Sequence, residues 1–229
     1  MKNQQNKQDK SNKKNLIIVI SIIFVLGILF LFSGCCYNNN GYDMHVDKPI
    51  IYIYPEEKID LTIKLKNDYL LTHTYPIYNN GWNITVSTDG NIYDNNTKRN
   101  YYALYWEGID NSKINMNEGF IVNGEDTVKF LEEKLEILGL NAKEINEFII
   151  YWLHRMENNK YNFIRFKTKE EIEKYMPLEI SKTPDTLIRV YMDFMPLTKK
   201  ITVKEQNLEK VARHGYTIVE LGGREIKEK

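Results

Sequence analysis

The chain has 229 residues, of which 42% are hydrophobic and 12% aromatic, and its formal net charge is zero. This composition excludes a disordered tether, and the length fits one or two folded domains. The two cysteines are adjacent, at Cys35 and Cys36, which excludes a disulfide framework or a cysteine-based zinc site in the rest of the chain. The charge is +4 over residues 1–15 and −4 over the remainder. A mildly acidic body without a basic stripe argues against nucleic acid as a partner.

The N-terminus predicts a membrane-targeting helix. Residues 1–15 are polar and basic, and residues 16–32 form an apolar run without a charged side chain. As a helix this run would be about 25 Å long, slightly shorter than a hydrocarbon core of roughly 30 Å. A basic segment before an apolar one is typical of a secretory signal and equally of a single anchor helix. Both interpretations keep the lysine-rich end in the cytoplasm and place the rest of the chain outside.

The end of the apolar run bears on the mode of attachment. Residues 32–35 read FSGC, and small residues directly before a cysteine resemble the lipobox of bacterial lipoproteins, in which the thiol, here of Cys35, receives a diacylglyceryl group. Phe32 departs from that pattern, because its position prefers Leu. We therefore expect a signal sequence or anchor over residues 1–35 with lipidation at Cys35, and an uncleaved anchor helix is the alternative.

The residues after the cysteines predict a tether and then a strand-rich region. Residues 36–47 are polar and without periodicity, and a single exported domain is predicted over residues 48–229. Apolar and polar residues alternate over residues 59–66, which indicates a half-buried strand. Asn-Gly and Asp-Gly pairs at 80–81 and 89–90 predict tight turns between strands. Residues 101–108, YYALYWEG, are apolar on both faces and predict a central strand.

Periodicity then changes to that of helices. An apolar stripe from Val128 to Leu138 ends before Gly139, and a second stripe begins after a capping-box pair at Asn141 and Glu144. Two amphipathic helices joined by so few residues predict an antiparallel hairpin. Further strands are predicted near the C-terminus. The predicted fold class is α+β: a mixed or antiparallel sheet of about eight to ten strands with this hairpin packed on it, preceded by the membrane-targeting helix.

Several motifs occur in an order that is similar to a known family. They are KPIIYIYPEE, YWEG, GEDTVKFLEEKLEILGLN, NEFIIYWL, PDTLIRVYM and VELGG, spread over residues 48–224. Together they resemble a family of uncharacterised bacterial secreted or lipid-anchored proteins. The resemblance implies one surface-attached domain. That family has no assigned activity, so the resemblance implies no catalytic residue, and His154 stands where the family tends to have proline.

Three carboxylates are candidates for catalysis. Glu107 follows Tyr105 and Trp106 at the end of the predicted central strand, where it could grip a sugar or act as a general acid. The plainer interpretation makes Trp106 a core residue and Glu107 the partner of a nearby turn. A glycosidase needs a second carboxylate at about 5–10 Å, and Asp193 and Glu220 on other predicted strands are the candidates.

Two further groups are candidates for binding. Arg189, Tyr191 and Asp193 share one face of a predicted strand, which indicates a solvated face, an internal salt bridge or a groove for a polar ligand. Trp82, with Tyr75 and Tyr78, could form an aromatic platform for a glycan, although cross-strand packing also explains such residues.

The sequence predicts a location more firmly than an activity. It contains no nucleotide-binding, nucleophile-elbow or zinc-protease signature, and its four histidines lack metal-ligand spacing, so we expect neither a metal nor a cofactor. The predicted function is a membrane-anchored cell-surface protein that binds a glycan or protein of the cell envelope. The alternatives are a hydrolase of envelope glycan or peptide that uses Glu107, Asp193 and Glu220, and a structural or assembly component of the envelope.

Overall fold

In a computed structural model, residues 45–227 are described, and they form two β-sheets and three α-helices. The strands are β1 His45–Tyr54, β2 Ile59–Leu65, β3 Leu71–Tyr75, β4 Trp82–Val86, β5 Ile92–Asp94, β6 Arg99–Tyr101, β7 Leu104–Ile109, β8 Glu118–Asn123, β9 Tyr161–Phe166, β10 Leu178–Ile180, β11 Thr186–Leu197, β12 Lys204–Glu205 and β13 Thr217–Glu225. The helices are α1 Thr127–Ile137, α2 Ala142–Met156 and α3 Lys169–Tyr175. The predicted anchor, Cys35 and most of the predicted tether lie outside these residues.

The larger sheet has eight strands in the order β12-β8-β9-β11-β13-β1-β7-β3, and the smaller has five in the order β10-β2-β4-β5-β6. The five-stranded sheet is antiparallel throughout, whereas β11 with β13 and β12 with β8 are parallel pairs in the larger one. The prediction of an α+β fold with mixed and antiparallel pairing is therefore confirmed.

Each face of the large sheet covers a separate hydrophobic core, because successive side chains of a strand point to opposite faces. On one face, Leu131 of α1 and Trp152 of α2 pack with Phe194 of β11. On the other face, Ile51 of β1 packs with Trp82 of the five-stranded sheet. The helices α1 and α2, the large sheet and the small sheet thus form three layers, and the central strands are buried on both sides.

Several features of the structure differ from the prediction. Thirteen strands divide between two sheets in the part of the chain that the structure describes, where one sheet of about eight to ten was predicted. The strand β8 was not predicted, because its apolar stretch is short and only the 3-10 turn Gly124–Asp126 separates it from α1. The strand β1 begins at His45, before the predicted domain start at residue 48. Its register shifts between Asp47 and Ile50, and this bulge accommodates Pro49, which cannot donate to a ladder.

The helix signals behave as predicted. The Asn141 side chain accepts from the Glu144 N–H at 3.0 Å, and the Glu144 carboxylate accepts from the Asn141 N–H at 2.8 Å, which completes the capping box at the start of α2. Within residues 45–227, none of the helices has the length and apolar character needed to cross a membrane.

Candidate functional site

A groove lined by tyrosines lies where β1 and β7 of the large sheet meet the loops of the small sheet. Its volume is about 470 Å³, which falls in the range of small-molecule sites. Six of its lining residues are tyrosines: Tyr52, Tyr54, Tyr75, Tyr101, Tyr102 and Tyr105. Four others are polar: Asp89, Asn91, Asn100 and Lys143.

Strand alternation places three of these tyrosines on one face of the large sheet. Tyr52 and Tyr54 are two residues apart on β1, and Tyr105 on β7 is the register partner of Ile50, two residues before Tyr52. All three therefore project toward the helix layer.

Two of the rings offer exposed faces. Tyr75 is 62% exposed and Tyr102 is 59% exposed. The Tyr75 ring meets the Tyr101 ring edge-on at a centroid distance of 5.3 Å, and the Tyr102 ring lies 6.4 Å from that of Tyr52. The ammonium of Lys143 lies 5.2 Å from the centre of the Tyr102 ring. These contacts hold the exposed rings in place, and a fixed aromatic surface binds at a lower entropic cost.

The pKa values of the Tyr52, Tyr54 and Tyr105 hydroxyl groups are raised. The Tyr52 hydroxyl donates to Glu147 Oε2 at 2.5 Å, and burial together with this bond raises the pKa of Tyr52. Burial and the negative charge of Glu144 raise the pKa of Tyr54, and burial followed by the bond to Glu107 raises that of Tyr105. The arrangement therefore supplies neutral hydrogen-bonding groups and does not favour a phenolate nucleophile.

One wall of the groove is the turn at residues 87–91, which is stabilised by its own hydrogen bonds. Asp89 Oδ1 accepts from the Ser87 hydroxyl at 2.9 Å and from the Asn91 N–H at 3.0 Å. Gly90 has a φ of +82°, and a Cβ at this position would lie 3.3 Å from the Ile53 carbonyl oxygen. A glycine lets the turn lie close against β1, which orders this side of the groove without a ligand.

Four of the residues singled out in the sequence meet on the opposite face of the large sheet. The Trp106 indole N–H donates to Glu220 Oε1 at 2.9 Å, and Arg189 Nε donates to Glu220 Oε2 at 2.5 Å. Arg189 also contacts Glu173 at 3.1 Å. The Tyr191 ring is fully buried beside Arg189, and burial and the charge of Glu220 raise its pKa. Since the small sheet covers this cluster, we interpret it as an internal polar contact.

Asp193 belongs to a second buried cluster of four charges. Asp193 accepts from Arg224 Nε at 2.9 Å and from Lys167 Nζ at 3.1 Å. Asp110 lies 3.1 Å from Lys167 and 3.2 Å from Arg224, and it accepts from the Ser112 hydroxyl at 2.8 Å. Two carboxylates face two cations, so the cluster is neutral. Asp110, Lys167 and Arg224 were not singled out in the sequence, because no spacing connects them.

The third carboxylate, Glu107, lies on the helix-facing side of the sheet and is therefore separated by the sheet from Asp193 and Glu220. Its Oε2 is 3.3 Å from Nδ1 of the exposed His73. The three carboxylates do not line one cleft, and two of them are enclosed. The hydrolase hypothesis gains no support from this arrangement.

Trp82 lies in the core between the two sheets. Its indole N–H donates to the Pro76 carbonyl at 3.0 Å, and the Tyr78 ring packs edge-on against it at 4.9 Å. With no exposed surface, Trp82 offers no face to a glycan. Of the predicted platform, Tyr75 alone lines the tyrosine groove.

Among residues 45–227, no group of three or more histidine, cysteine, aspartate or glutamate side chains is arranged to hold a metal ion. In comparisons with known proteins, no family model, curated protein or solved structure matches the chain.

Proposed function

We propose that the chain is a membrane-anchored cell-surface protein and that its tyrosine groove binds a neutral glycan of the cell envelope. Attachment would occur through the apolar run at residues 16–32 or a lipidated Cys35. The observation that carries the binding proposal is the convergence of six tyrosines on one groove, two of them largely exposed. Tyrosine presents an apolar ring to the carbon face of a sugar and a hydroxyl to its polar rim.

The charges around the groove favour an uncharged ligand. Asp89 and Lys143 are the two charged residues that line it, and they balance one another. The carboxylate of Glu147 accepts from Tyr52, and that of Glu144 is held by Arg213 at 2.7 Å. The amides of Asn91 and Asn100 remain as donors and acceptors of the kind that sugar hydroxyls require.

Binding is favoured over hydrolysis because two of the three candidate carboxylates are buried in ion pairs. A glycosidase needs two carboxylates on either side of the bond that is cleaved. Asp193 and Glu220 have no accessible surface and are fully engaged in ion pairs. In the groove itself, the raised pKa values of Tyr52, Tyr54 and Tyr105 favour neutral phenols, which act as binding groups.

The test is titration of the full chain, in nonionic detergent micelles, with a neutral oligosaccharide of N-acetylglucosamine. Tyr75→Ala and Tyr102→Ala should each weaken binding about 2- to 12-fold, the range expected when one stacking ring is lost. Tyr93→Ala is the matched control, since Tyr93 is an exposed tyrosine on β5 outside the groove and its loss should leave the affinity unchanged. Equal losses in all three variants, or no binding by the unaltered chain, would contradict the proposal.

A further inference from the structure

One stretch of β11 has a strand neighbour on one side only. Residues 186–190 pair with β13, whereas β9 pairs with β11 only from Met192 to Leu197. The chain leaves the sheet after Lys167, whose N–H donates to the Tyr191 carbonyl at 2.8 Å, and then forms α3. Five residues of β11 therefore form a sheet edge in the part of the chain that the structure describes.

The direction of the backbone groups on this edge follows from two hydrogen bonds. The Thr186 N–H donates to the Tyr216 carbonyl at 3.1 Å, toward β13, whereas Tyr191 accepts from the β9 side. Since alternate residues of a strand direct their backbone groups to opposite sides, those of Leu187 and Arg189 point away from β13. Among residues 45–227, these two N–H and two C=O groups have no hydrogen-bond partner. An edge with unpaired groups of this kind is a template on which another chain can pair.

A slot of about 480 Å³ runs along this edge. Its floor is formed by residues 187–190, one wall by α3 and the other by residues 206–211. Ile172 of α3 belongs to the core between the sheets, and Leu208 belongs to the core beneath the helices. The walls thus flank the edge from the two faces of the sheet, and the slot lies in the sheet plane, where a further strand would pair.

On the adjoining edge, at the end of β9, a side chain of this chain pairs with the free backbone groups. The Gln206 side chain accepts from the Phe166 N–H at 3.0 Å and donates to the Phe166 carbonyl at 2.7 Å. This one amide satisfies both backbone groups of Phe166. No comparable side chain reaches Leu187 or Arg189 from residues 45–227.

The charges that line the slot are unequal once internal pairs are removed. Lys167 is matched by the buried aspartates, and the charge of Arg189 is matched by Glu220. Arg189 also contacts Glu173, so this group of one arginine and two glutamates keeps one negative charge. Lys169, Glu170 and Glu209 complete the charged lining and add one more. Together these side chains carry an excess of two negative charges, which favours an occupant with basic side chains.

We propose that this slot binds an extended, basic peptide segment of a partner protein by β-strand addition to β11. The peptide makes four backbone hydrogen bonds, two with Leu187 and two with Arg189. Its side chains point alternately toward α3 and toward residues 206–211. This site is separate from the tyrosine groove and does not depend on the glycan proposal.

The first test needs no ligand. In the full chain, labelled with ¹⁵N-leucine and ¹⁵N-valine in nonionic detergent micelles, the Leu187 amide should exchange with solvent at least about 100-fold faster than the Val190 amide, which points to β13. Equal protection of the two amides would overturn the proposal, because the edge would already be covered, by this chain or by a second copy.

The second test adds a probe, the peptide acetyl-Lys-Val-Thr-Val-Lys-amide, at millimolar concentration. It should slow exchange of Leu187, and the same peptide with every backbone nitrogen methylated should not. Glu170→Lys and Glu209→Lys should each weaken the peptide about two- to fivefold, while Glu132→Lys on the exposed face of α1 should not change it. No protection by the probe, or equal protection by the methylated peptide, would refute strand addition.

Discussion

Removing the Lys167 charge should destabilise the fold strongly, because the buried cluster around Asp193 then carries one uncompensated negative charge. Lys167 Nζ lies 3.1 Å from Asp110 and from Asp193 and donates to the Ser112 hydroxyl at 2.9 Å. The side chain of Lys167 is 3% exposed and those of the aspartates no more than 1%, so water cannot replace the lost cation. Breaking a buried ion pair by deleting one partner costs about 3–5 kcal/mol. We expect Lys167→Met to lower the free energy of unfolding by this amount.

Urea unfolding of the full chain in nonionic detergent, followed by tryptophan fluorescence, measures the effect. Adding Asp193→Asn to Lys167→Met returns the cluster to neutrality, so the double variant should lose less than the sum of the single variants by about 0.5–3 kcal/mol. The matched control, Lys129→Met on the exposed surface of α1, should change stability by less than about 0.5 kcal/mol. A loss below about 1 kcal/mol for Lys167→Met, or simple additivity in the double variant, would show that Lys167 and Asp193 do not form a buried ion pair shielded from water.

The same cluster makes the stability of the fold depend on pH, and the direction of this dependence follows from the pKa of Asp110. Burial alone would raise the pKa of Asp110, but the charges of Lys167 and Arg224 outweigh it and hold this pKa below 3.8. The stability that Asp110 contributes is therefore present above the unfolded-state pKa, about 3.9, and is lost as the pH falls through the lower folded-state value. In Lys167→Met one of the two cations is gone, so acid destabilisation should begin at a higher pH than in the unaltered chain.

Two other predictions concern the second buried cluster and the anchor. Trp106→Phe removes the donor to Glu220, the ion-pair partner of Arg189, and should cost about 1.5–3 kcal/mol. Trp82→Phe removes a donor to the neutral Pro76 carbonyl and should cost about 0.5–1.5 kcal/mol from its hydrogen bond. Thermal unfolding compares the two variants, and equal losses of stability would contradict the Glu220–Arg189 ion pair. For the anchor, mass spectrometry of the mature N-terminus should find a diacylated Cys35, and an intact Met1 with an unmodified Cys35 would establish the anchor helix instead.

The local parts of the fold follow from the sequence because they depend on neighbouring residues. Alternation over residues 59–66 predicts β2, Ile59–Leu65, and the spacing of Asn141 and Glu144 predicts the start of α2. The division into two sheets depends on distant pairs. Leu178 of β10 pairs with Leu65 of β2, and Thr186 of β11 pairs in parallel with Thr217 of β13. No local pattern specifies these partners, so one continuous sheet was the natural prediction.

The candidate sites differ in predictability for a related reason. The polar face of β11, with Arg189 and Asp193, is visible in the sequence, but its meaning depends on what covers it. In the structure the small sheet and α3 cover this face, and each buried charge then needs a partner because an unpaired one would be costly. Glu220, Asp110 and Arg224 are these partners, and their charged groups are therefore not available to a ligand. The surfaces left for ligands lie outside these buried ion pairs. They are the tyrosine groove at the margin of the sheets and the edge of β11, where β9 no longer pairs with it.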